Sequence, residues 1–309
     1  MDIKRISAFG AIYLLWGGAY LAISIMVHVL PPFLVAGIRY SLAAALFIPV
    51  ILVRKDPIPS WRQLLNSVWT GVAMLTVGYG VVFWAEQRLS SWLVGVLAST
   101  TFLWTYLGES LILRSYKFRG RMLLPLLVGM AGMPLLAGID SRNDHAPALA
   151  VIAVLLGSVC WAAASLAVKR IDMPHSYIQI AGLQLAASGI LLLFVSRALG
   201  EWTRLPPTTE IFTRKTIFAM TYLVIAASMA AFSAFHWLLA CESASLVATA
   251  TYVNPMVAMV LGIAVAHEHS SPIQLVGALA VLTSIVMVWY MERSTNPFEI
   301  RELNAMPDL

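Results

Sequence analysis

Apolar blocks of about 18–23 residues recur along the whole chain, separated by short charged or Pro/Gly-punctuated stretches. Each block is long enough to cross a hydrocarbon core of about 30 Å at a helical rise of ~1.5 Å per residue. They fall near residues 6–27, 33–53, 64–85, 89–112, 121–138, 148–168, 178–197, 216–239, 246–266 and 273–291. A water-facing surface is out of reach for such a chain: 60% of its 309 residues are hydrophobic and 11% are charged, where soluble domains carry roughly 45–50% apolar and about 25% charged residues. Within lipid every backbone N–H and C=O must pair inside the protein, which leaves helices or closed barrels, and these blocks lack the alternation of barrel strands. The expectation is an all-α integral membrane protein of about ten transmembrane helices. The first block follows Lys4 and Arg5 as a secretory signal would, but it is too long for a signal's apolar region, and Met26, His28 and Pro31 follow it in place of a small-x-small cleavage site. It reads as a retained span.

With ten spans and the N-terminus inside, about thirteen Lys and Arg fall on cytoplasmic segments, among them Arg54, Lys55, Arg114, Lys117, Arg119, Arg121 and Arg301. Six fall outside, including Arg88, Arg142 and Arg204. That asymmetry predicts both termini in the cytoplasm, with residues 292–309 as a tail. The net charge of +5 is thereby spread over loops, and no basic stripe on a soluble domain is available to hold nucleic acid. Cys160 and Cys241 lie in or beside apolar blocks and read as packed thiols rather than as a disulfide framework.

Sliding the chain on itself by about 145 residues lays Trp16-Gly-Gly-Ala-Tyr-Leu21-Ala22 over Trp161-Ala-Ala-Ala-Ser-Leu166-Ala167. The same offset lays Ala36-Gly37-Ile38-Arg39 over Ala181-Gly182-Leu183-Gln184. A duplication accounts for both matches and divides the chain into residues 1–140 and 146–291. A unit of five spans begins its second copy on the opposite side of the membrane, so the halves are expected to be inverted about an axis in the membrane plane. Exchanging the conformations of two such halves turns an inward-open cavity into an outward-open one. A transporter needs that property, whereas an enzyme or receptor has no equal need of it.

The residues then carry a resemblance. Leu15-Trp16-Gly17-Gly18-Ala19-Tyr20 in the first span, Pro31-Pro32-Phe33 leading to Arg39-Tyr40 in the second, Ala85-Glu86-Gln87 ending the third, and Tyr252-Val253-Asn254-Pro255 followed by Glu268 in the ninth together resemble the bacterial drug/metabolite transporter superfamily, and within it the EamA-type exporters. The similarity covers about residues 6–291. It implies a ten-helix inverted-repeat fold in the bacterial inner membrane, a central cavity, and outward movement of small metabolites or amino acids. One departure stands out. Members often carry a proline within the fourth span and an acid at its end, mirroring Pro255 and Glu268, whereas this chain has Thr101 and the basic run Arg114 to Arg121 there.

Arg39 is the most informative single position, because a guanidinium inside an apolar span costs a few kcal/mol and must face protein or water. Two readings stay open: a cavity cation that meets a substrate carboxylate through its planar fork, or a structural cation that meets an acid or helix carbonyls. Glu86 and Glu109 are the acids available for proton exchange, since burial raises a carboxyl pKa into a useful range. Against that, Glu86 with Arg88 fits an interfacial pair at the outer mouth, and Glu109 fits a structural partner of the basic loop. Trp16, Tyr20, Trp84 and Tyr252 are candidate cavity rings, with Trp16 and Trp84 favoured by the resemblance; packing or an interfacial belt is the plain alternative for any one of them. Asn254-Pro255 interrupts the ninth span, where the proline kinks the helix and frees a carbonyl toward the cavity. His267-Glu268-His269 lacks the spacing of a zinc-binding helix, so no metal is expected.

No cofactor is expected, and the expected partners are a small-molecule substrate and the lipid bilayer, with the chain a monomer or homodimer. A membrane enzyme is a poorer reading, because no nucleophile with its base and no P-loop is legible. A membrane sensor or accessory subunit is the other rival.

Overall fold

The computed structural model describes residues 2–85, 87–89, 91–114, 120–137, 147–266 and 271–293. Glu86, Lys117, Arg119, Arg142, His267, Glu268, His269 and Arg301 lie outside the described residues. The helices in chain order are α1 (Ile3–Val27), α2 (Pro32–Arg54), α3 (Trp61–Ala85), α4 (Ser91–Leu107), α5 (Leu123–Ala137), α6 (Ala148–Val168), α7 (Tyr177–Ala198), α8 (Arg214–Cys241), α9 (Ala250–Ala266) and α10 (Pro272–Arg293). Among the described residues there is no strand, and eight helical segments are long and apolar enough to cross a membrane. The two further helices are α4, which continues into a π turn over Gly108–Ile112, and α5, which lies in the shorter apolar stretch Gly120–Leu135. The protein is an α-helical membrane protein.

Helix ends follow local chemistry. Pro32 opens α2 at the position where its missing N–H costs nothing, and Lys55 closes it in the left-handed conformation, φ 54°. Ser60 and Gln63 form a reciprocal capping box at the start of α3, and Thr213 and Thr216 do the same at the start of α8. In the middle of α3 and of α8 the helix widens into π geometry over Val72–Tyr79 and Leu223–Ala230, eight residues in each case. Such stretches are rare and shift backbone carbonyls out of the regular ladder.

Small residues decide how closely the helices approach. A Cβ on Gly37 would lie 2.9 Å from Leu193, one on Gly189 2.6 Å from Ser41, and one on Gly182 3.3 Å from Phe47. As the residue number climbs along α2 it falls along α7, so the pair runs antiparallel in close contact. Helices α5 and α10 pair the same way: a Cβ on Gly132 would sit 3.0 Å from the carbonyl oxygen of Gly277, and Ser284 Oγ donates to the Pro125 carbonyl at 2.6 Å. Helix α1 lies against α8 and α9, and α6 lies against α3 and α4.

Gly189→Leu should therefore destabilise the protein by about 1–3 kcal/mol, the usual cost of overpacking. Thermal unfolding in detergent checks this, with Gly10→Ala as a silent control, since a Cβ there meets nothing within 4 Å.

Candidate functional site

Six helices contribute side chains to one cavity among the described residues. Trp16 of α1 and Trp161 of α6 line it, meeting edge to face with centroids 6.0 Å apart. Arg39 and Tyr40 come from α2, Leu185 from α7, and Leu75 and Tyr79 from the π stretch of α3. Helix α8 supplies Ala227 and Ser228 from its π stretch, and Phe232 one turn further on. The centre of a water molecule can reach about 20 Å³ of the cavity, which is room for one or two waters. In this conformation the lining side chains leave no room for a larger solute.

The π stretch of α8 explains two of the contacts that shape this space. It presents the Ala227 carbonyl, which accepts from Trp16 Nε1 at 3.0 Å, and Ser228 Oγ, which accepts from Arg39 Nε at 2.8 Å. Arg39 is 4% exposed, and its Nη1 is buried with no hydrogen-bond partner. Its guanidinium carbon stands 5.2 Å from the centroid of the Tyr40 ring. Among the described residues no carboxylate lies within ion-pair distance of it. A buried guanidinium N–H with nothing to donate to costs free energy on the scale of a lost charged hydrogen bond, about 1.5–3 kcal/mol.

A second polar chain runs beside the cavity. His236, 3% exposed and 4.6 Å from the Phe232 ring, has its Nε2 2.8 Å from Gln184 Oε1, and Gln184 Nε2 donates to Thr70 Oγ1 at 2.9 Å. His236 Nδ1 is buried without a hydrogen-bond partner.

Of the residues singled out in the sequence, Arg39 and Trp16 line the cavity, while Tyr20, Trp84, Tyr252 and Asn254 stand outside its lining. Trp84 belongs to a separate cluster with Val82, Ala85 and Val94, and the Arg88 guanidinium covers its ring at 4.2 Å. Tyr252 is fully buried between helices, its ring edge to face with Phe102 and its hydroxyl donating to the Leu126 carbonyl at 3.1 Å. Asn254 backs onto Gly17, and its Oδ1 is buried without a partner. Helix α9 continues through Pro255.

Glu109 is 2% exposed at the end of α4 and holds the start of a short helix, Ala244–Ala248, that leads into α9. Its Oε1 accepts from the Ala244 amide at 2.8 Å, and its Oε2 accepts from the Ser245 amide at 2.9 Å and the Ser245 hydroxyl at 2.6 Å. Glu201 does the same for α2, accepting from the Phe33 and Leu34 amides at 3.4 and 2.9 Å. Carboxylates placed there satisfy orphan amides and complement the helix dipole.

The sequence reading passed over Trp161, Tyr79, Ser228, Phe232 and His236. A signal existed for Trp161 alone, since the 145-residue offset lays it over Trp16.

Aromatic side chains thus gather around a buried cation among helices of membrane-spanning length, as in a polytopic membrane protein. The chain belongs to the EamA-like transporter family, whose sequence profile matches it twice, over residues 6–137 and 148–290. It is 30% identical over 282 residues to the uncharacterized inner membrane transporter YedA of Escherichia coli (strain K12), covering 91% of this chain and 89% of that one. It is 22% identical over 280 residues to a probable amino-acid metabolite efflux pump of the same strain, covering 89% and 91%. A solved crystal structure, 18% identical, shares the fold with a TM-score of 0.77 over 96% of this chain and 100% of that one.

Glu109→Ala should cost about 1–3 kcal/mol of stability in detergent by orphaning two buried amides, and Glu109→Gln should cost less because one acceptor oxygen remains. A relay role would show instead as altered pH dependence at unchanged stability.

Proposed function

We propose that this protein is a secondary transporter of the bacterial inner membrane that exports small metabolites or amino acids by alternating access. One observation carries the reading. The cavity walls come from α1, α2 and α3 and from α6, α7 and α8, so every wall helix of the first half has its counterpart in the second. Trp16 meets Trp161, its partner at the 145-residue offset, across that space. A site on the axis between two inverted five-helix units is where alternating access requires the solute to sit.

Further support comes from how contacts repeat. The glycine contacts of α2 with α7 are reciprocal: Gly37 abuts Leu193, and Gly182, its counterpart, abuts Phe47. Gly132 meets Gly277, its own counterpart, where α5 crosses α10. The packing of α1 on α8 and α9 matches that of α6 on α3 and α4, and α3 and α8 carry π stretches of equal length. In this reading ten spans form two inverted repeats, and α1 with α8 moves against α6 with α3 to open the cavity to each side in turn. Both termini lie in the cytoplasm, consistent with the side on which Arg5 pairs with Glu242 at 3.2 Å and Lys169 donates to the Glu242 carbonyl. The relative named as a probable amino-acid metabolite efflux pump favours export of solutes of that size.

Counterflow of labelled amino acids and organic acids in proteoliposomes, with and without an imposed pH gradient, tests the function; a sensor or accessory subunit moves none of them. Arg39→Ala should abolish counterflow while membrane insertion stays intact. Trp16→Ala and Trp161→Ala should each weaken apparent substrate affinity by roughly 2- to 12-fold, given ~0.5–1.5 kcal/mol per aromatic contact. Unequal involvement, with one of the two silent, would count against a site shared by the halves.

A further inference from the structure

We infer that the cavity selects aromatic monocarboxylates, solutes with a flat ring and one negative charge but no ammonium group. The inference rests on the cavity being the transport site. The described lining carries one cation, Arg39, and no acid. The guanidinium spends its Nε on Ser228 Oγ, while Nη1 is buried and has no partner. A monoanion completes that hydrogen bond and brings the net charge of the described lining to zero. A zwitterion leaves the site with a buried net positive charge, which a dry interior disfavours strongly.

Two buried acids of the described fold are committed elsewhere. Glu109 and Glu201 each accept from two backbone amides at helix starts and line no part of the cavity. In the described lining an incoming ammonium would meet rings, aliphatic side chains, the Ser228 hydroxyl and the Arg39 cation, and no carboxylate. Rings dominate the rest of the lining. Trp16 and Trp161 pack edge to face with centroids 6.0 Å apart, and Tyr79 packs on Trp161 with centroids 5.5 Å apart, so these rings touch one another and must part to admit a guest beside Arg39. An aromatic slot that opens in this way, ending on a charged donor, suits an aryl group with a short carboxylate arm.

Phenylacetate, phenylalanine and phenethylamine share a benzyl ring and differ only in their charged groups, and 2-phenylethanol supplies the uncharged control. Binding of each to the purified full chain in detergent, followed by tryptophan fluorescence and thermal shift, should give phenylacetate at least about tenfold tighter than phenylalanine. Phenethylamine should be weaker still. Arg39→Gln should lose phenylacetate by about tenfold or more and keep 2-phenylethanol unchanged, which shows that the slot remains folded. Arg39→Lys should fall between the two proteins, since it keeps the charge without the planar fork. Phenylalanine binding as tightly as phenylacetate, phenylacetate binding that ignores Arg39→Gln, or no binding of phenylacetate overturns the inference. Counterflow of labelled phenylacetate in proteoliposomes separates this claim from the transporter reading. Binding without counterflow removes transport and keeps the site, whereas counterflow of phenylalanine without phenylacetate binding keeps transport and removes the proposed selectivity.

Discussion

No water stands by in a hydrocarbon core to satisfy a polar group left over from folding, and each feature of this protein follows from that constraint. The backbone meets it by being helical almost throughout. Helix starts that cannot meet it alone borrow a carboxylate from another part of the chain: Glu109 closes the lead into α9, and Glu201 closes α2, each across more than a hundred residues of sequence. The Ala227 carbonyl, in the π stretch of α8, accepts from the Trp16 indole as well. Against that background the unpartnered Nη1 of Arg39 is one of several exceptions, His236 Nδ1 and Asn254 Oδ1 among them, and among the described residues it is the one whose side chain lines the cavity. A binding site is a set of donors whose partner arrives from outside.

The closeness of the helices has the same origin. Lipid tails are as apolar as leucine, so helices gain little by merely hiding apolar surface and associate through tight backbone contact instead. Glycines at 37, 182 and 189 let α2 and α7 touch along their length, and the resulting core surrounds the cavity without filling it. Stability and function therefore draw on neighbouring residues. Ser228 is at once a packing residue of α8 and the acceptor that orients Arg39.

Much of the fold was legible in the sequence because hydropathy in a membrane is close to a direct readout of environment. The block expected at 33–53 is the helix Pro32–Arg54, and the block at 178–197 is Tyr177–Ala198. Arg39 stood out for the same reason: a charge in such a block has few permitted surroundings. What escaped depends on contacts between distant segments. The π stretches over Val72–Tyr79 and Leu223–Ala230 have no local sequence mark, and without them neither Tyr79 nor Ser228 can be placed at the cavity. For Glu109 the sequence left a proton carrier and a structural partner both open, and its bonds to the amides of Ala244 and Ser245 join segments too far apart to be read locally. The setting of His236 depends likewise on Gln184 of α7, a contact that no local stretch of sequence marks.

The central claim is that the space between Trp16 and Trp161 opens to each side of the membrane in turn. Ala227→Cys, in a protein whose Cys160 and Cys241 have been replaced, puts one small thiol on the cavity wall. Its reaction with a membrane-impermeant thiol reagent, added to one face or the other of oriented vesicles, measures access directly. The account predicts labelling from both faces, suppressed from both by bound substrate. Labelling from one face alone, or from neither, would contradict it.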